Sequence, residues 1–299
     1  MKELVCISGK GGTGKTSIVA SFASLARNCV LADCDVDAPD LHLILKPDVI
    51  QTVDFKGGMR ARIEKGKCNG CGTCLKLCRF GAIVKNTLSI SQQEDSFNVD
   101  PVACEGCGVC AHFCPQNAIR FEEVVNGQWF ISETRFGPMT HAALGIAEEN
   151  SGKLVSLVKA QARKIAEEKG MDFILVDGSP GIGCPVIASL AGAHLVLIVT
   201  EPTLSGFHDL DRVVKLTEHF KIPAAVCLNK ADINPSLSRK IEKWCWSKEI
   251  KMIGQIQYDQ DFTRAQIKGE TLMEFSNGTA SEAVKKVWKE LDQLLRDGD

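Results

Sequence analysis

Short apolar runs alternate with amphipathic segments along most of the chain, and this alternation predicts strands separated by helices. The apolar runs that predict strands are residues 4–8, 29–32, 172–176, 195–200 and 224–228. Helical spacing of apolar residues predicts helices at 15–26, 151–169, 209–219, 236–248 and 281–296. Such an alternation is typical of a mainly parallel α/β sheet flanked by helices.

The pattern breaks between about Gly57 and Gly127, where the chain becomes rich in cysteine and glycine, and it resumes afterwards. We therefore predict one discontinuous α/β domain, residues 1–57 and 127–299, interrupted by a small α+β module at 58–126. The inserted module repeats itself, since Cys68, Cys71, Cys74 and Cys78 recur with the same spacing 36 residues later. The second set is Cys104, Cys107, Cys110 and Cys114. Two copies of one short unit predict a pseudo-two-fold module with a shared core.

Composition narrows the possible partners. The 299 residues carry a net charge of -2 and no basic stripe, so nucleic acid is not an expected partner. The longest apolar run, 195–200, is too short to span a membrane, and the N-terminus enters a strand without a signal-peptide pattern. We expect a cytoplasmic protein without a membrane partner. The last helix, 281–296, has an apolar face that would suit a membrane surface, but its balanced charges favour a helix docked on the core.

Residues 9–16 satisfy the Walker A pattern, and the predicted strand before them and helix after them are both present. Glycines let backbone N–H groups turn toward phosphate oxygens, and the helix N-terminus adds its dipole. Lys15 is expected to reach the β- and γ-phosphates, and Thr16 to ligate Mg²⁺. The predicted ATP-binding residues of this loop are Gly9, Lys10, Gly11, Gly12, Thr13, Gly14, Lys15, Thr16 and Ser17.

A second lysine in the loop, Lys10, gives it a resemblance to the deviant Walker A of the MinD/Mrp/ParA ATPases. The resemblance implies that Lys10 reaches the phosphates of a partner subunit in a nucleotide-sandwich dimer. It gives Asp35 the task of orienting or activating the attacking water, and it places Asp33 near Mg²⁺ and Asp177 in the Mg²⁺ shell. Lys10, Lys15 and Asp35 are thus the predicted catalytic residues.

The segment 228–232 is similar to the base-recognition segment of these ATPases, which implies that Asn229 bonds the purine. Since it also reads Asn-Lys-x-Asp, GTP is an alternative to ATP, although the two-lysine loop favours ATP. Gln257 departs from the family pattern, in which proline usually stands near the adenine, so the details of the base pocket stay open.

Eight of the fourteen cysteines lie in two tight clusters, and in a reducing compartment clustered cysteines indicate metal binding rather than disulfides. Each half of the insert has the spacing C-x2-C-x2-C-x3-C, which is that of bacterial ferredoxins with 4Fe-4S clusters. By ferredoxin precedent the fourth cysteine of each run belongs to the other cluster. Cluster I then uses Cys68, Cys71, Cys74 and Cys114, and cluster II uses Cys78, Cys104, Cys107 and Cys110. Zinc is the alternative, because C-x2-C pairs also form zinc sites.

The stretches 133–145 with 149–153, 177–187, 200–203 and 208–210, together with the insert, resemble MinD-superfamily ATPases that contain an inserted ferredoxin domain. Cys184, just after the Asp177 segment, is read in two ways. We favour a small buried residue that opens a helix, and the alternative is a ligand for a transient metal or cluster at a dimer interface. The implied cofactors are ATP, Mg²⁺ and two 4Fe-4S clusters.

The resemblance favours ATP-driven assembly or transfer of Fe–S clusters or metallocofactors. The alternatives are ATP-gated delivery of low-potential electrons to a partner, and a spatial-organising ATPase without redox output. The expected partners are a second copy or a paralogous ATPase, and a redox protein or apo-metalloprotein.

Overall fold

The computed structural model describes residues 1–85, 97–145 and 151–297, and it divides the chain into two compact units. The first unit comprises Met1–Val53, Trp129–Ala143 and Ser151–Asp299, and the second comprises Asp54–Gln128 and Leu144–Asn150. Two of the unit boundaries therefore fall within long strands, at 53/54 and at 128/129.

The strands are β1 Lys2–Ser8, β2 Cys29–Asp33, β3 Asp48–Ile63, β4 Ile83–Lys85, β5 Phe97–Val99, β6 Ile119–Thr134, β7 Gly137–Leu144, β8 Phe173–Pro180, β9 Leu195–Thr200, β10 Ala224–Leu228 and β11 Lys251–Gln255. The helices are α1 Lys15–Leu25, α2 Leu41–Leu45, α3 Thr73–Leu77, α4 Val109–His112, α5 Ser151–Lys169, α6 Cys184–Leu190, α7 Leu204–His219, α8 Pro235–Ser247, α9 Asp261–Lys268, α10 Leu272–Phe275 and α11 Thr279–Asp297.

The large sheet has the strand order β11-β10-β9-β1-β8-β2-β7-β6-β3. Its pairs from β11 to β7 are all parallel, which confirms the predicted α/β class. In a sheet of this kind the carboxyl ends of the strands meet at one edge, where ligands bind. The register sets Asp33 of β2 opposite Asp177 of β8, so the two carboxylates start from neighbouring strand ends.

Continuous apolar runs form the central strands because helices cover them. All six residues of β9 are buried, and the core also takes Phe22 from α1. Val284, Val287 and Leu291 of α11 belong to the same core, which confirms that the last helix docks on the protein. Among the described residues, no helix is long and apolar enough to cross a membrane.

The sequence pattern missed the strands that carry the chain into and out of the insert. β3 and β6 are each 16 residues long, yet only one residue of β3's first eight is buried. Such a strand has no apolar periodicity to detect. Helix α7 begins at Leu204, five residues before the predicted start, because the Thr203 hydroxyl accepts a hydrogen bond from the Gly206 N–H at 3.0 Å and caps the helix.

The second unit repeats its local geometry with the spacing of its sequence. Gly70 and Gly72 have left-handed φ values of 72° and 71°, and Gly106 and Gly108, 36 residues later, have 59° and 75°. Short helices follow at equivalent positions, α3 and α4. Cys74, Ile83 and Phe97 form a small apolar core in this unit, and Cys110 packs against it.

Candidate functional site

The Walker A loop connects β1 to α1, and its glycines adopt conformations that other residues rarely take. Gly12 and Gly14 have φ values of 80° and 88°. A side chain at Gly14 would also collide, since its Cβ would lie 2.4 Å from the Asn229 Nδ2 atom. The loop therefore presents backbone amides at the N-terminus of α1, the arrangement that binds phosphate.

A cavity of about 550 Å³ opens beside this loop. The loop residues 11–17 line it, as does Asp35, whereas Gly9 and Lys10 are not among the described residues around it. Gly9 instead packs on α7, because a Cβ there would lie 2.4 Å from the Asp209 Cβ. The remaining lining residues are Ser8, Asp37, Ala38, Asp40, Ser179, Pro180, Pro185, Asn229, Lys230, Tyr258, Asp259, Phe262, Thr263 and Gln266.

Lys15 is buried among carboxylates at the floor of the site. Its ammonium lies 2.5 Å from Asp177 Oδ1 and 4.0 Å from Asp35 Oδ2. Burial lowers the pKa of Lys15, but the charge of Asp177 and the hydrogen bond to it outweigh burial, so its pKa is raised. The other oxygen of Asp177, Oδ2, is buried without a hydrogen-bond partner. The Lys15 ammonium also donates to the Thr16 hydroxyl at 3.4 Å. The unpartnered oxygen of Asp177 and this hydroxyl fit a Mg²⁺ shell built from Asp177 and Thr16.

The three aspartates differ in what they face. Asp35 lines the cavity, and burial raises its pKa to about 6, against the opposing effect of Lys15. Asp33 is fully buried, and its two oxygens accept hydrogen bonds from the backbone N–H groups of Asp35 and Leu41 at 3.1 and 3.3 Å. Burial and the neighbouring Asp177 raise the pKa of Asp33 well above its usual range. Asp33 therefore shapes the loop that carries Asp35.

Asn229, the predicted purine contact, lines the cavity and also contacts the phosphate loop. Its side-chain amide donates to the Thr13 carbonyl at 2.8 Å, and its Oδ1 accepts from the Lys230 N–H at 3.0 Å. The Lys230 ammonium donates to the Gly12 carbonyl at 2.8 Å. The segment after β10 thus braces the phosphate loop from behind, and the amide of Asn229 is already engaged there.

The sequence pattern did not predict most of the residues that form the cavity wall opposite the phosphate loop. Phe262, Thr263 and Gln266 of α9 line the cavity, and Gln266 Nε2 donates to the Ser17 hydroxyl at 2.7 Å. Tyr258 also lines it, whereas the exposed Gln257 is not among its lining residues. Nothing in the local sequence of α9 signals a ligand, because its contribution arises only when the helix packs across the loop.

Thiols line two of the further cavities within the second unit. One is lined by Cys68, Cys71, Cys74 and Cys114. The other, of about 370 Å³, is lined by Cys78, Cys104, Cys107 and Cys110. Each cavity therefore collects three cysteines from one run and the fourth from the other run. This is the division of ligands predicted for two clusters.

The thiols line these cavities without forming a ready-made metal site. Within residues 1–85, 97–145 and 151–297, no group of three or more His, Cys, Asp or Glu side chains is arranged to hold a metal ion. The two innermost thiols, Cys74 and Cys110, have pKa values raised by burial. Each cavity offers four soft sulfur donors from cysteine. Such a set fits a 4Fe-4S cluster, and it also fits zinc. The cluster assignment therefore stays a prediction.

The scattered thiols separate into buried and exposed. Cys6, Cys29, Cys34, Cys227 and Cys245 are buried, and burial raises the pKa of Cys29 and of Cys227 to about 12. Cys184 is the first residue of α6, as expected, but it is exposed. The favoured interpretation of Cys184 as a buried residue was therefore wrong. The Cys184 side chain lies on the exposed face of α6, because the buried face consists of Val186, Ser189 and Leu190.

Comparison with known proteins shows which family and which solved structures this chain is similar to. The family model described as "CobQ/CobB/MinD/ParA nucleotide binding domain" matches residues 4–272. The protein MJ0578 of Methanocaldococcus jannaschii is 31% identical over 98% of this chain and 97% of its own length, and MJ0579 of the same organism is 27% identical over 93% and 94%. The Mg-ADP complex of the septum site-determining protein MinD from Pyrococcus horikoshii superposes with a TM-score of 0.57, at 15% identity over 100% of this chain and 98% of that one.

Proposed function

The chain belongs to the CobQ/CobB/MinD/ParA nucleotide-binding family and is a P-loop ATPase, and we propose that it couples ATP hydrolysis to two 4Fe-4S clusters resident in its second unit. The observation that carries the proposal is the pair of cavities in which eight thiols sort into two crossed sets of four. Three cysteines from one run and the fourth from the other is the ligand division of two-cluster ferredoxins, which supports iron–sulfur clusters over zinc.

At the nucleotide site, each of the chain's own groups has a separate role. Phosphate oxygens bind the amides of residues 11–15, and Lys15 leaves Asp177 to reach them. Asp177 and Thr16 would hold Mg²⁺, which would supply charge neutralisation on the transferring phosphoryl group. Asp35, the carboxylate that lines the cavity, orients the attacking water. Lys10 serves the nucleotide of a second subunit.

The clusters are proposed as fixed parts of the protein. Every cysteine of the two runs lies in one of the two cavities, so each cluster would have its full set of four thiolates. A complete set of protein thiolates holds a cluster tightly, and this supports redox work, in which nucleotide state controls delivery of electrons to a partner. Each cluster would supply a one-electron carrier at that unit.

A second candidate, assembly or transfer of a metallocofactor, is favoured by Cys184. This thiol is exposed and precedes Pro185, which lines the nucleotide cavity. A transient metal or cluster held there by two subunits would sense the nucleotide directly. The spatial-organising alternative gives no role to the eight thiols of the insert.

The partner is proposed to be a second ATPase subunit together with a redox protein or apo-metalloprotein. Methanocaldococcus jannaschii has two similar proteins, MJ0578 and MJ0579, which supports pairing with a paralogue as well as self-association. One solved relative at 19% identity is the MinC:MinD complex of Aquifex aeolicus, an ATPase bound to a different protein.

The proposal is tested on full-length protein purified without oxygen. We expect about eight irons per chain, an EPR signal on reduction, and a change in that signal or in cluster potential when MgATP replaces MgADP. Zinc in place of iron would refute the cluster assignment. Bound iron whose EPR signal and potential do not change between MgADP and MgATP would refute the coupling of ATP hydrolysis to the clusters. Transfer of iron to an apo-protein only with MgATP, and its loss in Cys184→Ala, would favour assembly over electron delivery.

A further inference from the structure

Within the described part of the second unit, a further cavity of about 810 Å³ is lined by charged side chains and by no thiol. It is larger than the cavity of about 550 Å³ beside the phosphate loop. We call it the charged groove. The six charged residues that line it are Arg60, Arg62, Glu64 and Lys65, from β3 and the residues after it, and Arg120 and Glu122, from β6.

The strands β3 and β6, which are neighbours in the large sheet, form the wall between the charged groove and the thiol cavities. Side chains alternate between the two faces of a strand. On β6, Ile119 and Phe121 each line one of the thiol cavities, whereas Arg120 and Glu122 line the groove. Of residues 60–63 on β3, the two apolar ones reach a thiol cavity and the two arginines line the groove. The groove therefore lies behind a two-stranded layer whose other face closes both thiol cavities.

Positive charge exceeds negative charge in the groove, since four cations and two carboxylates line it. The Arg120 guanidinium pairs with Glu64, and the Lys67 ammonium lies 2.6 Å from the same carboxylate. In contrast, the side chains of Arg62 and Lys65 form no ion pair with any other described residue. Two cations that line one groove without a counter-charge from the described chain favour an anionic occupant.

The exposure of these cations favours a protein surface over a small molecule. Arg62 and Lys65 are exposed, and the Arg120 side chain is 63% exposed. Sites for small molecules are mostly apolar and enclose most of the ligand. Polar groups that stay accessible to solvent are instead typical of the rim of a protein–protein interface.

The two glutamates of the groove favour a protein over nucleic acid or an anionic membrane. A nucleic acid carries negative charge at every phosphate, so it would meet Glu64 and Glu122 as well as the cations. A protein surface can place carboxylates opposite Arg62 and Lys65 and hydrogen-bond donors opposite the glutamates. The mixed charges of the groove therefore fit a partner whose surface is acidic but not uniformly so.

We propose that the charged groove docks an acidic surface of a partner protein, whose carboxylates pair with Arg62 and Lys65. The preference for an acidic surface stands on the groove alone. That this partner is the redox protein or apo-metalloprotein rests on the proposed function. A partner docked there would be separated from each set of four cysteines by the layer of β3 and β6.

The test uses the anaerobically purified full-length protein and a short fluorescein-labelled peptide of alternating glutamate and glycine, with binding followed by fluorescence anisotropy. Arg62→Glu combined with Lys65→Glu should weaken binding by about tenfold or more at low salt, because two charge pairs are replaced by repulsion. Raising the salt from about 0.05 M to about 0.5 M should remove most of the wild-type binding. Equal affinity of this double variant and the wild type would overturn the inference.

The matched control is Lys243→Glu combined with Lys248→Glu, which changes the net charge by the same amount at exposed positions on and just after α8. Its affinity for the peptide should stay within about twofold of the wild type, because the contact is local and not a response to net charge. A loss equal to that of the Arg62 and Lys65 variant would show that no site on the surface is preferred, and would reject the groove.

A second measurement needs no variant, so it holds even if the charge reversal impairs folding. Carbodiimide condenses a carboxylate with a lysine ammonium in contact with it, forming an amide while the reagent takes up the water. Mass spectrometry of the wild-type protein treated with the peptide and carbodiimide should find Lys65 as the main site and little modification at Lys243. Peptide distributed evenly over the surface lysines would contradict the proposal.

Two further probes decide the class of partner. A single-stranded oligonucleotide and phosphatidylglycerol vesicles should bind more weakly than the acidic peptide. Tighter binding of either probe, lost in the Arg62 and Lys65 variant, would make the groove a phosphate site and overturn an acidic protein partner.

The outcomes also separate this inference from the proposed function. A chain without iron, whose peptide binding is lost in the Arg62 and Lys65 variant, would keep the groove and reject the clusters. A chain with about eight irons, whose variant binds the peptide as the wild type does, would keep the clusters and reject the groove.

Discussion

The ammonium of Lys15 lies 2.5 Å from Asp177 Oδ1, and both side chains are almost completely buried. The residue that the Walker A pattern reserves for phosphate is therefore paired with the carboxylate proposed to hold Mg²⁺. Binding of Mg-nucleotide must exchange both partners at once, since Lys15 gains phosphate as Asp177 gains the metal. Nucleotide and Mg²⁺ should consequently depend on each other.

Asp177→Asn should uncouple them. We expect MgATP to raise the melting temperature of the wild type, and EDTA to remove most of that increase. In Asp177→Asn the Mg²⁺-dependent part should vanish, and the ATPase rate should fall by about 100-fold or more because the metal is no longer held at the phosphoryl group. The nucleotide-free variant should itself be less stable by about 3 kcal/mol, since Lys15 is left buried without its partner.

The measurement is thermal unfolding with ATP, with MgATP and with MgATP plus EDTA. Asp211→Asn is a suitable control because its carboxylate pairs with Lys215 at the surface and should change none of these values by more than about 0.5 kcal/mol. A full Mg²⁺-dependent stabilisation in Asp177→Asn would show that another residue holds the metal.

The crossed cysteine sets make a sharp prediction about iron. Cys78 and Cys107 lie far apart in sequence but line the same cavity. Cys78→Ala and Cys107→Ala should therefore each remove the same cluster and lower iron from about eight to about four atoms per chain. The double variant should lose no more than either single variant. Cys114→Ala should remove the other cluster, and Cys78→Ala with Cys114→Ala should leave almost no iron.

Iron analysis and EPR of the reduced variants check this pattern. Each single variant should keep one of the two signals, and Cys78→Ala and Cys107→Ala should keep the same one. If Cys78→Ala instead matched Cys71→Ala, the fourth cysteine would serve its own run and the crossed assignment would be wrong. Cys245→Ala, which removes a buried thiol of the first unit, is the control that should retain all the iron.

Asn229 should govern phosphate binding more than choice of base. Its amide donates to the Thr13 carbonyl, so Asn229→Ala releases the back of the loop. We expect ATP and GTP to bind more weakly by a similar factor, about five- to tenfold, because a buried hydrogen bond is worth about 1 kcal/mol or slightly more. Calorimetric titration of both nucleotides measures this. A loss confined to ATP would instead support the predicted purine contact.

Arg135 should support the cavity from a distance. Its guanidinium binds both oxygens of Glu274, at 2.6 and 2.8 Å, and donates to the Leu45 carbonyl at 2.6 Å, joining the end of α2 to α10. It also donates to the Gly269 carbonyl at the end of α9, the helix that lines the cavity. Arg135→Ala should raise the KM for ATP about threefold and lower stability by about 1–2 kcal/mol.

Arg135→Lys should recover little of this loss, since an ammonium cannot form the two-pronged bond to Glu274. Thermal unfolding and steady-state kinetics measure both effects. The matched control is Arg296→Ala, which removes a surface pair with Asp292 on α11. Wild-type KM values in Arg135→Ala would mean that α9 keeps its place without the arginine.

By itself the sequence determined the parts whose chemistry is local. The Walker A glycines, the cysteine runs and the apolar central strands follow from residues close together in the chain, because left-handed turns, the proposed cluster ligands and buried strands impose their own spacing. The α/β class and the buried face of α11 could be predicted for the same reason. β3 and β6 could not, because strands with mostly exposed side chains carry no apolar period.

Only the tertiary structure decided which distant groups meet. In the folded chain Asn229 donates to the Thr13 carbonyl, and Lys10 pairs with Glu201, some 190 residues away. Cys184 is exposed, and α9 lines the nucleotide cavity. Side-chain hydrogen bonds and helix packing of this kind depend on where the backbone carries each residue in space. No spacing along the chain encodes them.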